Sequence, residues 1–281
     1  MEKLSVKQLR LMAAKARLMA VDAVYTAASG HPGGSLSCMD MLTALYFNEM
    51  NIDPKNPKWA DRDRFVLSKG HCSPALYSVL ALRGFFPEED MKLFRSIKGH
   101  YSGHPDMRHV PGVDMSTGSL GQGLSTAVGM AIAAKLQKRS NRVYAICGDG
   151  ELAEGQIWEA AMAAAKWGLD NLCVFVDVNG LQIDGRTADV MPTEPLDEKF
   201  EAFNWNVIKI DGHDMNAILT ALKEARGRRG MPTVILAATV KGKGVSFMED
   251  QAGWHGKAPN DEQFATAKAE LEAVIKELEA E

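Results

Sequence analysis

Two nearly unbroken apolar runs, one ending at Cys147 and one beginning at Leu172, flank an alanine-rich stretch from Glu154 to Trp167. Runs without polar alternation are buried on both faces, as parallel strands covered by helices are, and the stretch between them reads as the helix that crosses back over the sheet. Such a crossover joins parallel neighbours, so both strands finish at one edge of the sheet, where open α/β sheets bind ligands.

The rest of the pattern extends this unit. Helical periodicity over 6–28 ends at Ser29-Gly30, and His31-Pro32-Gly33-Gly34 reads as a tight loop that presents His31 before a second helix over 37–47. A short strand over 65–67, helices over 74–83 and 87–97, and an irregular segment over 99–115 follow. Next come a small-residue helix over 122–138, further strands over 206–210 and 233–238, and a helix between them over 216–228. The expected fold is α/β: a mainly parallel sheet with helices on both faces, forming one large domain over 1–260. The charged, amphipathic segment 261–281 is expected to be a helix, either solvated on the surface or docked against a partner.

Composition narrows the class. With 46% hydrophobic residues and a formal charge of −4, the chain is expected to be globular, with no basic footprint for nucleic acid or a membrane surface. No signal-like start and no membrane-length apolar run is seen, so a cytoplasmic location is the expectation. Cys38, Cys72, Cys147 and Cys173 are scattered without a C-x-x-C pair and read as reduced thiols rather than zinc ligands or disulfides.

The chemistry sits where the two strands end. Asp149, in Gly148-Asp149-Gly150, and Asn179 follow neighbouring strands, so a carboxylate and an amide oxygen can share one hard cation, Mg2+ or Ca2+, with diphosphate and water completing about six ligands. Gly148 and Gly150 let backbone N–H groups approach a phosphate, and the following helix adds its N-terminal dipole. A Gly-Asp-Gly after a strand is also an ordinary tight turn. The spacing to Asn179 and the other loops favour the site.

Those loops are Ser29-Gly-His-Pro-Gly33, Ser68-Lys-Gly-His71, Gly103-His-Pro105, Ser116-Thr-Gly-Ser-Leu-Gly-Gln-Gly123, Gly148-Asp-Gly-Glu-Leu-Ala-Glu-Gly155, Asp177-Val-Asn-Gly-Leu181, Lys241-Gly-Lys-Gly244 and Trp254-His-Gly256. In this order they resemble the N-terminal, thiamine diphosphate-binding part of a transketolase, over nearly the whole chain. Single-chain transketolases continue with a pyrimidine-binding domain, which carries the glutamate that activates the cofactor, and a third domain. The resemblance therefore implies the N-terminal subunit of a split enzyme whose C-terminal subunit is a separate chain, in a dimer of heterodimers acting on sugar phosphates. A truncated piece of a longer enzyme would look the same.

Carried over residue by residue, the resemblance implies that His31, His71, His104 and His255 contact substrate hydroxyls or the cofactor, and that Glu154 lies near the interface linking two cofactor sites. Glu154 is equally read as a carboxylate favoured at a helix N-terminus. Gly118, Ser119, Leu120, Gly150, Asn179 and Lys241, with His71 and His255, match cofactor-binding positions. Asp149, Asn179 and the carbonyl of Leu181 match the metal ligands. His100, His109 and His213 are read as structural. Gly34 departs from relatives that carry a cofactor-touching serine, and Val178 stands where many thiamine-dependent enzymes have a second Asn. The implied reaction is two-carbon ketol transfer between a ketose phosphate and an aldose phosphate. Alternatives are a 1-deoxyxylulose-5-phosphate synthase-like or dihydroxyacetone synthase-like enzyme, or a non-catalytic cofactor-binding subunit. A nicotinamide fold is disfavoured because no G-x-G-x-x-G opens a helix after a strand.

Overall fold

The computed structural model describes residues 3–281; Met1 and Glu2, the first residues of the expected domain, lie outside the described residues. Strands β1 (Arg64–Leu67), β2 (Val143–Gly148), β3 (Leu172–Val178), β4 (Leu181–Gln182), β5 (Gly185–Arg186), β6 (Asn206–Asp211) and β7 (Thr233–Ala238) form two sheets. The main sheet has the order β1-β2-β3-β7-β6 and every pairing in it is parallel, with Gly148 opposite Asp177 in the central register. β4 and β5 make a small antiparallel hairpin at the carboxyl edge.

Helices α1 (Val6–Thr26), α2 (Pro32–Ser37), α3 (Met39–Ala44), α4 (Ser73–Leu82), α5 (Gln122–Leu136), α6 (Gly155–Lys166), α7 (Thr187–Val190), α8 (Leu196–Ala202), α9 (Met215–Gly227) and α10 (Asp261–Ala280) surround it. Alternate strand residues feed two cores. Tyr144, Ile146, Cys173 and Phe175 pack with α1, α3, α4 and α9 on one face, whereas Ala145, Cys147, Val174 and Val176 pack with α5, α6 and α8 on the other. This division is why neither central strand shows polar alternation.

Three local readings change. The segment after His31 is not a free loop: Pro32 occupies the first turn of α2, where its missing N–H costs nothing and its fixed φ suits the helix. Residues 88–93 form a 3₁₀ segment rather than an α-helix. Gly150–Ala153 is likewise a 3₁₀ turn, and α6 begins only at Gly155, so the amides beside Asp149 come from a tight turn and not from the first turn of α6.

α10 buries Ala267, Leu271 and Leu278. It lies along α1, with Phe264 stacked on Tyr25 at 3.9 Å and Lys15 paired to Glu279 at 2.9 Å. No helix among the described residues is long and apolar enough to cross a membrane.

Candidate active site

Four adjacent strand ends, those of β1, β2, β3 and β7, are followed by Lys69, Asp149, Asn179 and Lys241 on one edge of the sheet. The floor is a buried ion pair between Lys69 and Asp177. Asp177 is fully buried and also accepts from Ser37 Oγ at 2.6 Å, from Thr239 Oγ1, and from the Asn179 side-chain amide at 3.3 Å. Burial alone would pull the Lys69 ammonium down, but Asp177 outweighs it and holds the group well above the usual lysine range. With its NH2 turned to Asp177, Asn179 keeps Oδ1 for other partners and accepts the Leu181 N–H at 3.1 Å.

Asp149 stands beside this pair, only 3% exposed, accepting N–H groups from Gly150 at 2.8 Å and Gly180 at 2.6 Å. Burial and then the nearby Asp177 charge push its carboxyl up to about 6. Lys241, equally buried, donates to His255 Nδ1 at 2.9 Å and approaches the Leu181 carbonyl at 3.4 Å. Burial, then the Lys241 charge, lowers His255 to about 3. An ammonium can only donate, so His255 is neutral with Nδ1 as acceptor and its proton on Nε2.

The four loop histidines converge. Ring centroids lie at 5.2 Å for His31–His71, 5.4 Å for His31–His255, 5.0 Å for His71–His255 and 6.4 Å for His31–His104. Burial, with His71 next, lowers His31 to about 4 and shifts His104 in the same direction. His31 Nδ1 is buried without a hydrogen-bond partner.

A cavity of about 370 Å³ joins these histidines to the strand ends, lined by His31, His71 and His255 at one side and Asp149, Asn179 and Leu181 at the other. Gly118, Leu120, Gly150 and Lys241 complete the expected lining. Ser119 falls between two lining residues. His104 borders an adjoining cavity and sits over Gly118. Glu154 is exposed, packs near Gly121, and lies outside the cavity.

The other histidines are placed structurally. His213 is held between Asp40 and the Val240 N–H, and His100 stacks on His109, which pairs with Asp106. At Gly34 a Cβ would come within 2.7 Å of Cys72 Sγ, so in this chain a thiol occupies the space a serine side chain would need.

Three site residues escape the sequence reading. Lys69 enters it only as part of a loop and Asp177 only as the start of a motif, although an acid in an otherwise apolar strand is itself a signal. Glu151 is buried and ties three segments together by accepting from Ser68 Oγ at 2.5 Å and from the Gly148 and Gly121 N–H groups, each at 2.9 Å.

The family described as transketolase, thiamine diphosphate binding domain, matches residues 8–276. The chain belongs to this transketolase family. It is 51% identical over 243 residues to a 6-deoxy-6-sulfo-D-fructose transketolase subunit of Clostridium sp. (strain MSTE9), covering 86% of this chain and 88% of that protein. It is 44% identical to an apulose-4-phosphate transketolase subunit of Phocaeicola vulgatus, covering 99% of both. The solved transketolase of Campylobacter jejuni superposes with a TM-score of 0.90 at 34% identity, over 98% of this chain but 46% of that one. The chain thus spans less than half the length of that transketolase.

The transketolase cavity fits thiamine diphosphate with a hard cation. Asp149 is a buried carboxylate raised by burial and by the neighbouring Asp177 charge, which a cation would offset, and Asn179 Oδ1 and the Leu181 carbonyl are neutral oxygens nearby, a donor set for Mg2+ or Ca2+. Among the described residues no three His, Cys, Asp or Glu side chains stand together as metal ligands. A cation here would therefore draw on one carboxylate, one amide, one backbone carbonyl and the ligand's own phosphates. Burial and the like charge of Lys69 lower Lys241, a repulsion that a diphosphate would relieve. At Gly150 a Cβ would meet Gln182 Oε1 at 2.7 Å, so the backbone there is closely covered by β4.

Proposed function

We propose that this chain is the N-terminal, diphosphate-binding subunit of a split, thiamine diphosphate-dependent transketolase of the cytoplasm. With a separate C-terminal subunit, as a dimer of heterodimers, it transfers a two-carbon ketol unit from a ketose to an aldose. The observation that carries this reading is the convergence of His31, His71 and His255, with His104 beside them, at one side of a cavity whose other side offers oxygen ligands and buried ammonium groups.

Thiamine diphosphate, when bound, supplies the carbon nucleophile and the electron sink for breaking and forming a carbon–carbon bond. The chain supplies binding and proton transfer. Asp149, Asn179 and the Leu181 carbonyl would hold Mg2+ or Ca2+; Lys241, Gly150 and His71 would hold the diphosphate end, with Asn179 shared. Gly118, Ser119 and Leu120 offer backbone contacts to the thiamine. His255, its Nδ1 engaged by Lys241, presents Nε2–H as a donor to a substrate oxygen and to the cofactor. His31, neutral near pH 7 with a free buried Nδ1, accepts or returns the proton of the reacting hydroxyl. His104 and His71 orient further hydroxyls, and Glu154, on the surface beside Gly121, faces the partner and couples the sites.

The relatives' names point to a donor with an anionic terminus, since one names a sulfo sugar and another a sugar phosphate. Ketose phosphates are the first choice. A donor and acceptor screen with the chain reconstituted with a transketolase C-terminal subunit tests this. Two-carbon transfer from a phosphorylated or sulfonated ketose is expected. Condensation of pyruvate with an aldose phosphate, or cofactor binding without turnover on any sugar, would contradict it.

A further inference from the structure

Arg95 lies outside the lining of the main cavity, yet it touches both the loop that carries His31 and the loop that carries His104. Its guanidinium donates through Nη1 to Ser29 Oγ at 2.9 Å, two residues before His31. It also lies flat against Gly103, just before His104: a Cβ there would fall within 2.5 Å of Nη2, Cζ and Nε alike. Only a residue without a side chain lets the guanidinium rest there. The Arg95 N–H donates to the Tyr101 carbonyl at 2.7 Å, closing the loop that leads to His104. The backbone pays for this placement, because Arg95 is a non-glycine residue at φ +54°. Among the described residues no carboxylate pairs with it.

We propose that Arg95 is a positioning residue, a clip that joins the Ser29–His31 and Gly103–His104 loops and sets the spacing of their two imidazoles. The inference rests on the roles proposed above for His31 and His104, but its test needs no turnover. A chain that fails to transfer ketol units would still report on the clip.

The unpaired charge gives the clip a second effect. His31 faces His71, Cys72, Arg95, His104 and His255. His104 faces His31, His71, Cys72 and Arg95. Burial and His71 lead in lowering both, Arg95 adds in the same direction, and only Cys72 opposes. Arg95 therefore helps keep both imidazoles neutral.

The full chain, labelled at histidine, is followed by NMR through a pH titration, and amide exchange is measured alongside. In Arg95→Gln the His31 and His104 midpoints are expected to rise by about half a pH unit, with His213 unmoved, and the amides of residues 101–104 to exchange faster. Arg95→Lys keeps the charge but not the flat contact, so it should restore the midpoints and leave the exchange fast. Ser29→Ala, the mildest change, should loosen the same amides without moving the midpoints. Unmoved midpoints in Arg95→Gln, or exchange at 101–104 as slow as in the parent in all three variants, would overturn the proposal.

Discussion

At the scale of single residues the account turns on Asp149. Asp149 is the buried carboxylate proposed to hold the cation, so Asp149→Ala is expected to weaken thiamine diphosphate binding in the presence of Mg2+ by at least about a hundredfold. Calorimetric titration checks this; affinity within a few-fold of the parent would contradict it. His31 predicts a pH dependence of stability. It titrates near 4 in the folded chain against 6.5 when unperturbed. Between those values the unfolded chain binds a proton that the folded chain refuses, so stability rises with pH across the window and is lost as pH falls through it. Melting temperatures from pH 4 to 7 should show this rise, and a shallower one in His31→Gln. An identical slope in the two proteins would count against it.

Single residues are legible where chemistry and glycine coincide. His31, His71, His255, Asp149 and Asn179 stand in glycine-bearing loops, and the fold brings them to one cavity. Lys69, Asp177 and Glu151 stand in the same loops, but their roles are not legible there because their work is pairwise and buried: the partners are far apart in sequence, and no local pattern announces that Lys69 meets Asp177. Arg95 is hidden for the same reason.

At the scale of elements, α5 meets the site through a glycine contact. A Cβ at Gly123 would fall 2.5–2.7 Å from Ser68 atoms that include Cα, so either α5 or the Ser68–Lys69 loop must move. Gly123→Ala is expected to cost about 1–3 kcal/mol. Gly129→Ala, in the same helix but facing open space, should instead stabilise by about 0.5–1 kcal/mol. Urea unfolding of the two variants compares them directly, and equal effects would contradict this packing. The strands and longer helices are legible from burial on both faces, since β2 and β3 carry apolar side chains into both cores. The turns are less so. The 3₁₀ segment over Glu88–Leu93 and the turn over Gly150–Ala153 differ from α-helix only in their hydrogen bonding, which composition does not encode.

At the scale of the whole molecule, parallel pairing of β2 and β3 follows from one crossover, but the return of β7 to β3 with β6 at the edge does not. No local pattern along the chain specifies that order, and it is what brings Lys241 and His255 to the cavity. In the function proposed here, the cofactor's diphosphate end has its contacts in this chain, and the half that activates its pyrimidine belongs to a second polypeptide. Ketol-transfer turnover, measured with thiamine diphosphate and Mg2+ for this chain by itself, for a C-terminal partner by itself and for their mixture, tests that division most directly. Turnover in the mixture only is the predicted result; full turnover by this chain without the partner would contradict it.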